Sequence, residues 1–155
     1  MAHFLSIMNR MPRRVETRVQ MLSEYRMQHR PASPDYGAPL YNLTADGFYP
    51  EDVYSPQGVQ YFGTNYDDQF IHQLVVAARN QPDYSVRIYR TIPSSADPVI
   101  NAGDWVTPSR AYAQHMVDSW QPGGEEGAQI VEMTVPAKNL YTNADSWDEW
   151  GYWPS

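Results

Sequence analysis

Turn chemistry constrains this chain more than any other feature. Between residues 31 and 66, proline and glycine break every run long enough to be periodic. Ser33-Pro34-Asp35-Tyr36-Gly37 and Tyr49-Pro50-Glu51-Asp52 are turn sequences. Proline presets φ, glycine supplies conformations that other residues avoid, and aspartate can bond its own backbone. The same stretch holds eight aromatic residues: Tyr36, Tyr41, Phe48, Tyr49, Tyr54, Tyr61, Phe62 and Tyr66. It reads as an ordered loop held by rings, with no repeat and no low-complexity tract. Irregular stretches of this length inside a compact domain usually form the walls or lids of functional sites. With 13 Pro, 12 Tyr and 5 Trp, and lysine only at Lys138, the chain is not a helical bundle.

The 155 residues suit one domain, large enough to bury a core unaided. With no cysteine, disulfide frameworks, thiolate metal sites and cysteine nucleophiles are excluded. No apolar run reaches the roughly 18 residues of a membrane span, and no signal-peptide core follows Met1. A cytoplasmic protein is expected. The formal charge of −7 argues against nucleic acid as an electrostatically gripped partner. That charge is unevenly spread. Residues 1–30 carry six arginines against Glu16 and Glu24, whereas the rest carries five cations against sixteen acids. A basic helix is expected from about Pro12, with Val15, Val19 and Leu22 on one face. Its arginines could meet solvent, an acidic partner or anionic lipid, and packing on the chain's own acidic domain is the preferred reading.

From Asn65 onward the pattern is regular. Asp67 or Asp68 can cap a helix to about Asn80, with Phe70, Ile71, Leu74, Val75 and Ala78 at helical spacing. Ser85 to Ile92 alternates apolar and polar residues, as a strand does. Asp104-Trp105-Val106-Thr107 reads as a short second strand, and Ser109 can cap a helix to about Trp120. Gly123 to Gly127 is a loop, Gln129 to Pro136 the clearest strand, and an aromatic tail from Trp147 to Trp153 closes the chain. Mixed α+β architecture follows, without regular βαβ alternation.

Much chemistry is absent. There is no phosphate loop ending in Lys-Ser/Thr, no dinucleotide fingerprint and no serine nucleophile between glycines. The four histidines (His3, His29, His72, His115) form no i,i+4 pair, so no metal is expected. Tyr112, Met116 and Trp120 lie four apart, a stripe more often core than cofactor box. A spaced set remains: Arg90 at a strand end, Thr107-Pro108-Ser109 between a strand and a helix, and Glu149 within Trp147-Asp148-Glu149-Trp150-Gly151-Tyr152. Singly, each has an ordinary reading as an ion-pair partner, a helix cap or a surface acid. Arg87 competes with Arg90 from the opposite face of the strand, and Asp145 and Asp148 are rival acids. Trp147, Trp150 and Trp153 read more simply as core than as the wall of an acceptor site.

Taken together and in this order, the residues resemble the ADP-ribosyltransferase fold in its Arg–Ser–Glu variety. The resemblance covers about residues 67–155: Ile88-Tyr89-Arg90, then Trp105-Val106-Thr107-Pro108-Ser109, a helix beginning Arg110-Ala111-Tyr112-Ala113, the strand Val131 to Pro136, and Glu149 on the closing segment. The stretch Gly103 to Ala113 with Glu149-Trp150-Gly151-Tyr152 is similar to small members from phages and actinobacteria. For a phage-encoded protein, the host cytoplasm is then the expected location. The resemblance implies two small packed β-sheets around an NAD cleft with flanking helices. NAD would be a substrate, no metal would be needed, and ADP-ribose would pass to an unidentified acceptor, a protein by expectation.

The resemblance also implies roles. Arg90 anchors the pyrophosphate or adjoining ribose, because a guanidinium forks onto phosphate oxygens. Thr107 and Ser109 support the strand and contact ribose or carboxamide. Tyr112 stacks on nicotinamide. Glu149 stabilises the oxocarbenium-like charge and orients the acceptor. Two departures bear on this. Arginine-modifying members carry Glu or Gln two residues before the catalytic Glu, where this chain has Trp147, so the acceptor stays open. Thr-Pro-Ser replaces Ser-Thr-Ser, and Pro108 lacks a backbone donor. Two alternatives share the fold: a silent member that binds a partner protein through residues 1–66, and a simple NAD glycohydrolase.

Overall fold

The computed structural model describes residues 31–62, 66–120, 127–144 and 146–155. The basic helix expected from Pro12, the glycine loop before Gly127 and Asp145 lie outside these residues. The elements run β1 (Ala38–Pro39), α1 (Gly58–Phe62), α2 (Asp68–Ala78), β2 (Ser85–Pro93), β3 (Trp105–Val106), α3 (Arg110–Asp118), β4 (Ala128–Pro136), β5 (Leu140–Thr142) and β6 (Trp150–Tyr152). The architecture is mixed α+β. A four-stranded sheet has the order β1-β5-β6-β3, and β2 pairs with β4 in a second sheet. Every pairing is antiparallel.

The two long strands form where alternation runs longest. Val86 and Ile88 turn inward from β2 while Ser85 and Arg87 stay exposed, the period-two pattern of a strand with one buried face. Arg87 lies opposite Thr134, and Arg90 opposite Val131. On α2, Ile71, Val75 and Ala78 are buried, one stripe at the spacing that puts i, i+4 and i+7 on one face. They join Val86, Ile88, Val106, Val135, Leu140, Trp147 and Trp150 in one core cluster drawn from both sheets.

Most of the aromatic tail is core: Trp147, Trp150 and Tyr152 join the cluster, whereas Trp153 is only half-buried. Trp147 and Trp150 are wholly buried. The Trp150 Nε1–H donates to the Trp147 carbonyl at 2.6 Å, and the Trp147 Nε1–H donates to the Tyr49 hydroxyl at 3.2 Å. The Tyr49 and Trp147 rings meet edge-on at 6.3 Å. A buried indole needs such a partner, since an unpaired N–H would cost free energy.

The segment from residue 31 to 62 is held by rings as expected, but it is not merely loop. It supplies β1, which pairs with β5, the short helix α1, and 3-10 turns at Ala45–Gly47 and Glu51–Tyr54. Leu40, Leu43 and Val53 within it are fully buried. A two-residue strand containing proline leaves no periodicity to read. Among the described residues, no helix is long and apolar enough to cross a membrane.

Candidate functional site

The site is built where the two sheets touch. Beyond β3, Thr107 forms an isolated antiparallel bridge with Tyr89 of β2. Arg90, next along β2, therefore lies beside β3. Its Nη1 donates to the Trp105 carbonyl at 2.8 Å, and its Nε lies 3.6 Å from Asp104 Oδ2. Three-quarters of the guanidinium side chain is shielded from solvent, as is the Asp104 carboxylate. These contacts fix the direction in which the cation points.

The chain then turns into α3 through a local hydrogen-bond array. The Thr107 hydroxyl accepts from the Ser109 backbone N–H at 3.1 Å, and the Ser109 hydroxyl accepts from the Tyr112 N–H at 3.0 Å. The second contact is a helix N-cap, satisfying one of the donors that the first turn leaves without an intrahelical partner. The Ser109 hydroxyl also donates to the Asp67 carboxylate. Asp67 stands at the N-cap position of α2 but makes no side-chain cap bond there; its carboxylate serves α3 instead. Thr91 Oγ1 donates to the Ala113 carbonyl at 2.8 Å, tying α3 to β2.

A second acid clamps the same place from the other side. Both Asp148 oxygens lie 3.1 Å from the Tyr66 N–H. Burial pushes the Asp148 carboxyl above the usual carboxylate range. The N–H groups of Tyr66 and Asp67 oppose the shift, and the neighbouring Asp68 and Glu149 carboxylates add to it. Residues 66 and 67 are thus stapled to the start of α3 by Asp67 and to the Glu149 segment by Asp148. The Tyr66 ring stacks on His115 at 4.6 Å and tilts against Tyr112 at 6.3 Å.

Around this scaffold Arg90, Thr107, Tyr112 and Glu149 line one cavity, with Met116 one turn beyond Tyr112 and Trp105 and Ala113 as apolar wall. Four of the five residues singled out from the sequence therefore converge. Ser109 does not line the cavity; it is fully buried and holds the helix start. Arg87 does not line it either. It is exposed and pairs with Glu132 at 2.6 Å. Trp147, at the position two before Glu149, belongs to the core. The Asp67 and Asp148 clamps escaped sequence reading, because their partners lie 42 and 82 residues away. Met116 was visible only as part of an apolar stripe.

The cavity measures about 20 Å³, room for a single ordered water. Sites for nucleotide-sized ligands run roughly 300–1,000 Å³, so a ligand of that size requires lining side chains to move aside. The lining nevertheless offers a guanidinium donor, a hydroxyl that donates or accepts, an aromatic ring and a carboxylate acceptor, groups that suit a phosphorylated ribose. Among the described residues, no group of three or more His, Asp or Glu is arranged to hold a metal ion. Comparison with protein-family models, with curated proteins and with solved structures found no match to this chain.

Proposed function

We propose that the protein is an ADP-ribosyltransferase that cleaves the nicotinamide–ribose bond of NAD in the cytoplasm and passes ADP-ribose to an acceptor, a protein by preference. The observation that carries this reading is the convergence of Arg90, Thr107, Tyr112 and Glu149, from three separate stretches of the chain, on one cavity. In this reading the Arg90 guanidinium, already braced by Trp105 and Asp104, takes the pyrophosphate. The Thr107 hydroxyl meets ribose or carboxamide, and the Tyr112 ring covers nicotinamide. Ser109 acts indirectly by setting the start of α3.

As the C1′–N bond breaks, its electron pair leaves with nicotinamide and positive charge develops on the ribose. A carboxylate held beside the ribose stabilises the charge more there than in the ground state, where it lies on the pyridinium ring, and this lowers the barrier. Glu149 fills that role and then accepts the proton of the attacking nucleophile. The buried Trp147 leaves no side chain two residues before Glu149 to receive an arginine acceptor, so the acceptor class is open.

The small cavity favours one second reading, a silent member of the fold that binds a partner without turnover. Free nicotinamide released from NAD by the pure protein separates the two. Labelled NAD with added cell lysate then separates transfer, in which the label becomes protein-bound, from hydrolysis, in which it stays small.

A further inference from the structure

Asp148 is a buried acid with no cation beside it. It is 8% exposed, and among the described residues no arginine, lysine or histidine pairs with it. The charged groups that face it are the Asp68 and Glu149 carboxylates, which repel it. Such an arrangement costs stability, and an apolar side chain would fill the space at less cost. Its oxygens instead hold the backbone of a distant stretch. Both lie 3.1 Å from the Tyr66 N–H, and the Asp67 N–H also donates to the carboxylate.

The grip falls where Glu149 is set. The β3–β6 ladder ends at the Val106–Trp150 pair, so sheet pairing approaches Glu149 from its Trp150 side. On the other side the Asp148 N–H donates to the Ser146 hydroxyl at 3.0 Å, and Trp147 is buried in the core. Asp148 and Glu149 are neighbours that face different ways, the first toward Tyr66 and the second toward the cavity. Holding the Asp148 side chain therefore limits rotation of the backbone that aims Glu149. The grip has its own anchor. Asp67 accepts from the Ser109 hydroxyl, and Ser109 caps the helix that carries Tyr112. Glu149 and Tyr112, which line the same cavity, are thus both referred to residues 66 and 67.

We propose that Asp148 is a positioning residue: by holding the Tyr66 and Asp67 N–H groups, it fixes the direction of the Glu149 carboxylate relative to the Tyr112 side of the cavity. Its consequence for turnover rests on the NAD reading. Misplacing a reacting group by about 1 Å can cost about a hundredfold in rate. Affinity is set elsewhere in that reading, because Arg90 is braced from the β3 side by Trp105 and Asp104.

Turnover and binding are measured separately in Asp148→Ala. Nicotinamide release at saturating NAD falls at least about tenfold, while NAD affinity by titration changes less than about threefold. Asp148→Asn keeps one acceptor oxygen and restores release to within about threefold of the parent. In a Glu149→Gln background Asp148→Ala makes less than about twofold further difference, because both changes act through one carboxylate. Without NAD, the backbone amide order parameters of Tyr66 and Glu149 fall together in Asp148→Ala and recover in Asp148→Asn, with those of β4 unchanged. If Asp148→Ala does not fold, Asp148→Leu, which fills the same space without an acceptor, replaces it. No release from the parent would overturn the NAD reading alone, and the order parameters then decide the positioning role. Three results would overturn the proposal: a Glu149 amide that stays rigid in Asp148→Ala, a loss of release that Asp148→Asn does not restore, or an undiminished loss in the Glu149→Gln background.

Discussion

Tyr89 and Thr107 exchange both backbone hydrogen bonds, at 2.8 and 2.9 Å, and this bridge splices the two-stranded sheet to the four-stranded one. Its consequence is positional. One residue beyond Tyr89 the Arg90 guanidinium is brought against β3, and two residues beyond Thr107 the chain caps α3, so a cation and a helix start share one corner. Glu149 reaches the same corner because β6 pairs with β3, Trp150 lying opposite Val106.

Arg90→Ala should weaken NAD binding at least tenfold, since hydrogen bonds from a charged donor contribute about 1.5–3 kcal/mol. Isothermal titration below the melting temperature is the check. Unchanged affinity, with the loss appearing in Arg87→Ala instead, would move the anchor to the other arginine.

Ser109→Ala removes a helix cap, which costs about 1 kcal/mol, and strips the Asp67 carboxylate of a hydroxyl donor, which adds about 1–3 kcal/mol. Chemical denaturation should show a lower midpoint with an unchanged slope. NAD affinity of the folded fraction should change by less than about twofold, whereas a tenfold loss, about 1.4 kcal/mol, would make the hydroxyl a direct contact.

Asp148 gives the fold a pH dependence of definite sign. Burial raises its carboxyl, so the native state keeps a proton that the unfolded chain has already released. The stability this contributes is complete below the unfolded value near 3.9 and is lost as pH rises through the raised native value. The stability difference between Asp148→Asn and the parent should therefore move in the variant's favour from acid to neutral pH. Denaturation midpoints across that range decide it, and a constant difference would contradict the assignment.

Gly151→Ala should be strongly destabilising. An added Cβ would lie 2.0 Å from the Ala32 carbonyl oxygen, which also accepts from Trp153 Nε1 at 2.7 Å. Backbone has to shift to make room, and overpacking of this kind costs about 1–3 kcal/mol. A melting temperature within a degree of the parent would show that the strand next to Glu149 is looser than described.

The legible parts of this molecule are those with long local patterns. The alternation of β2 and β4, the buried stripe of α2 and the Ser109 cap could all be read from neighbouring residues. What could not be read depends on distant partners. Strands β1 and β5 are two and three residues long and exist because they pair with each other and with β6. Asp67, at a position where local rules assign an N-cap, instead bonds Ser109 across 42 residues. Leu40, Leu43 and Val53 are core residues inside a turn-rich segment, where no period marks them. Arg87 and Arg90 were known to face opposite ways, but only the Tyr89–Thr107 bridge decides which of them meets the cavity.

The carboxylate of Glu149 is the most direct test of the account. Nicotinamide release at saturating NAD should fall at least about a hundredfold in Glu149→Gln, the scale of losing one electrostatic stabiliser in a shielded site, while the melting temperature stays within a few degrees of the parent. Parent-like nicotinamide release from a folded Glu149→Gln protein, or none from the parent itself, would contradict it.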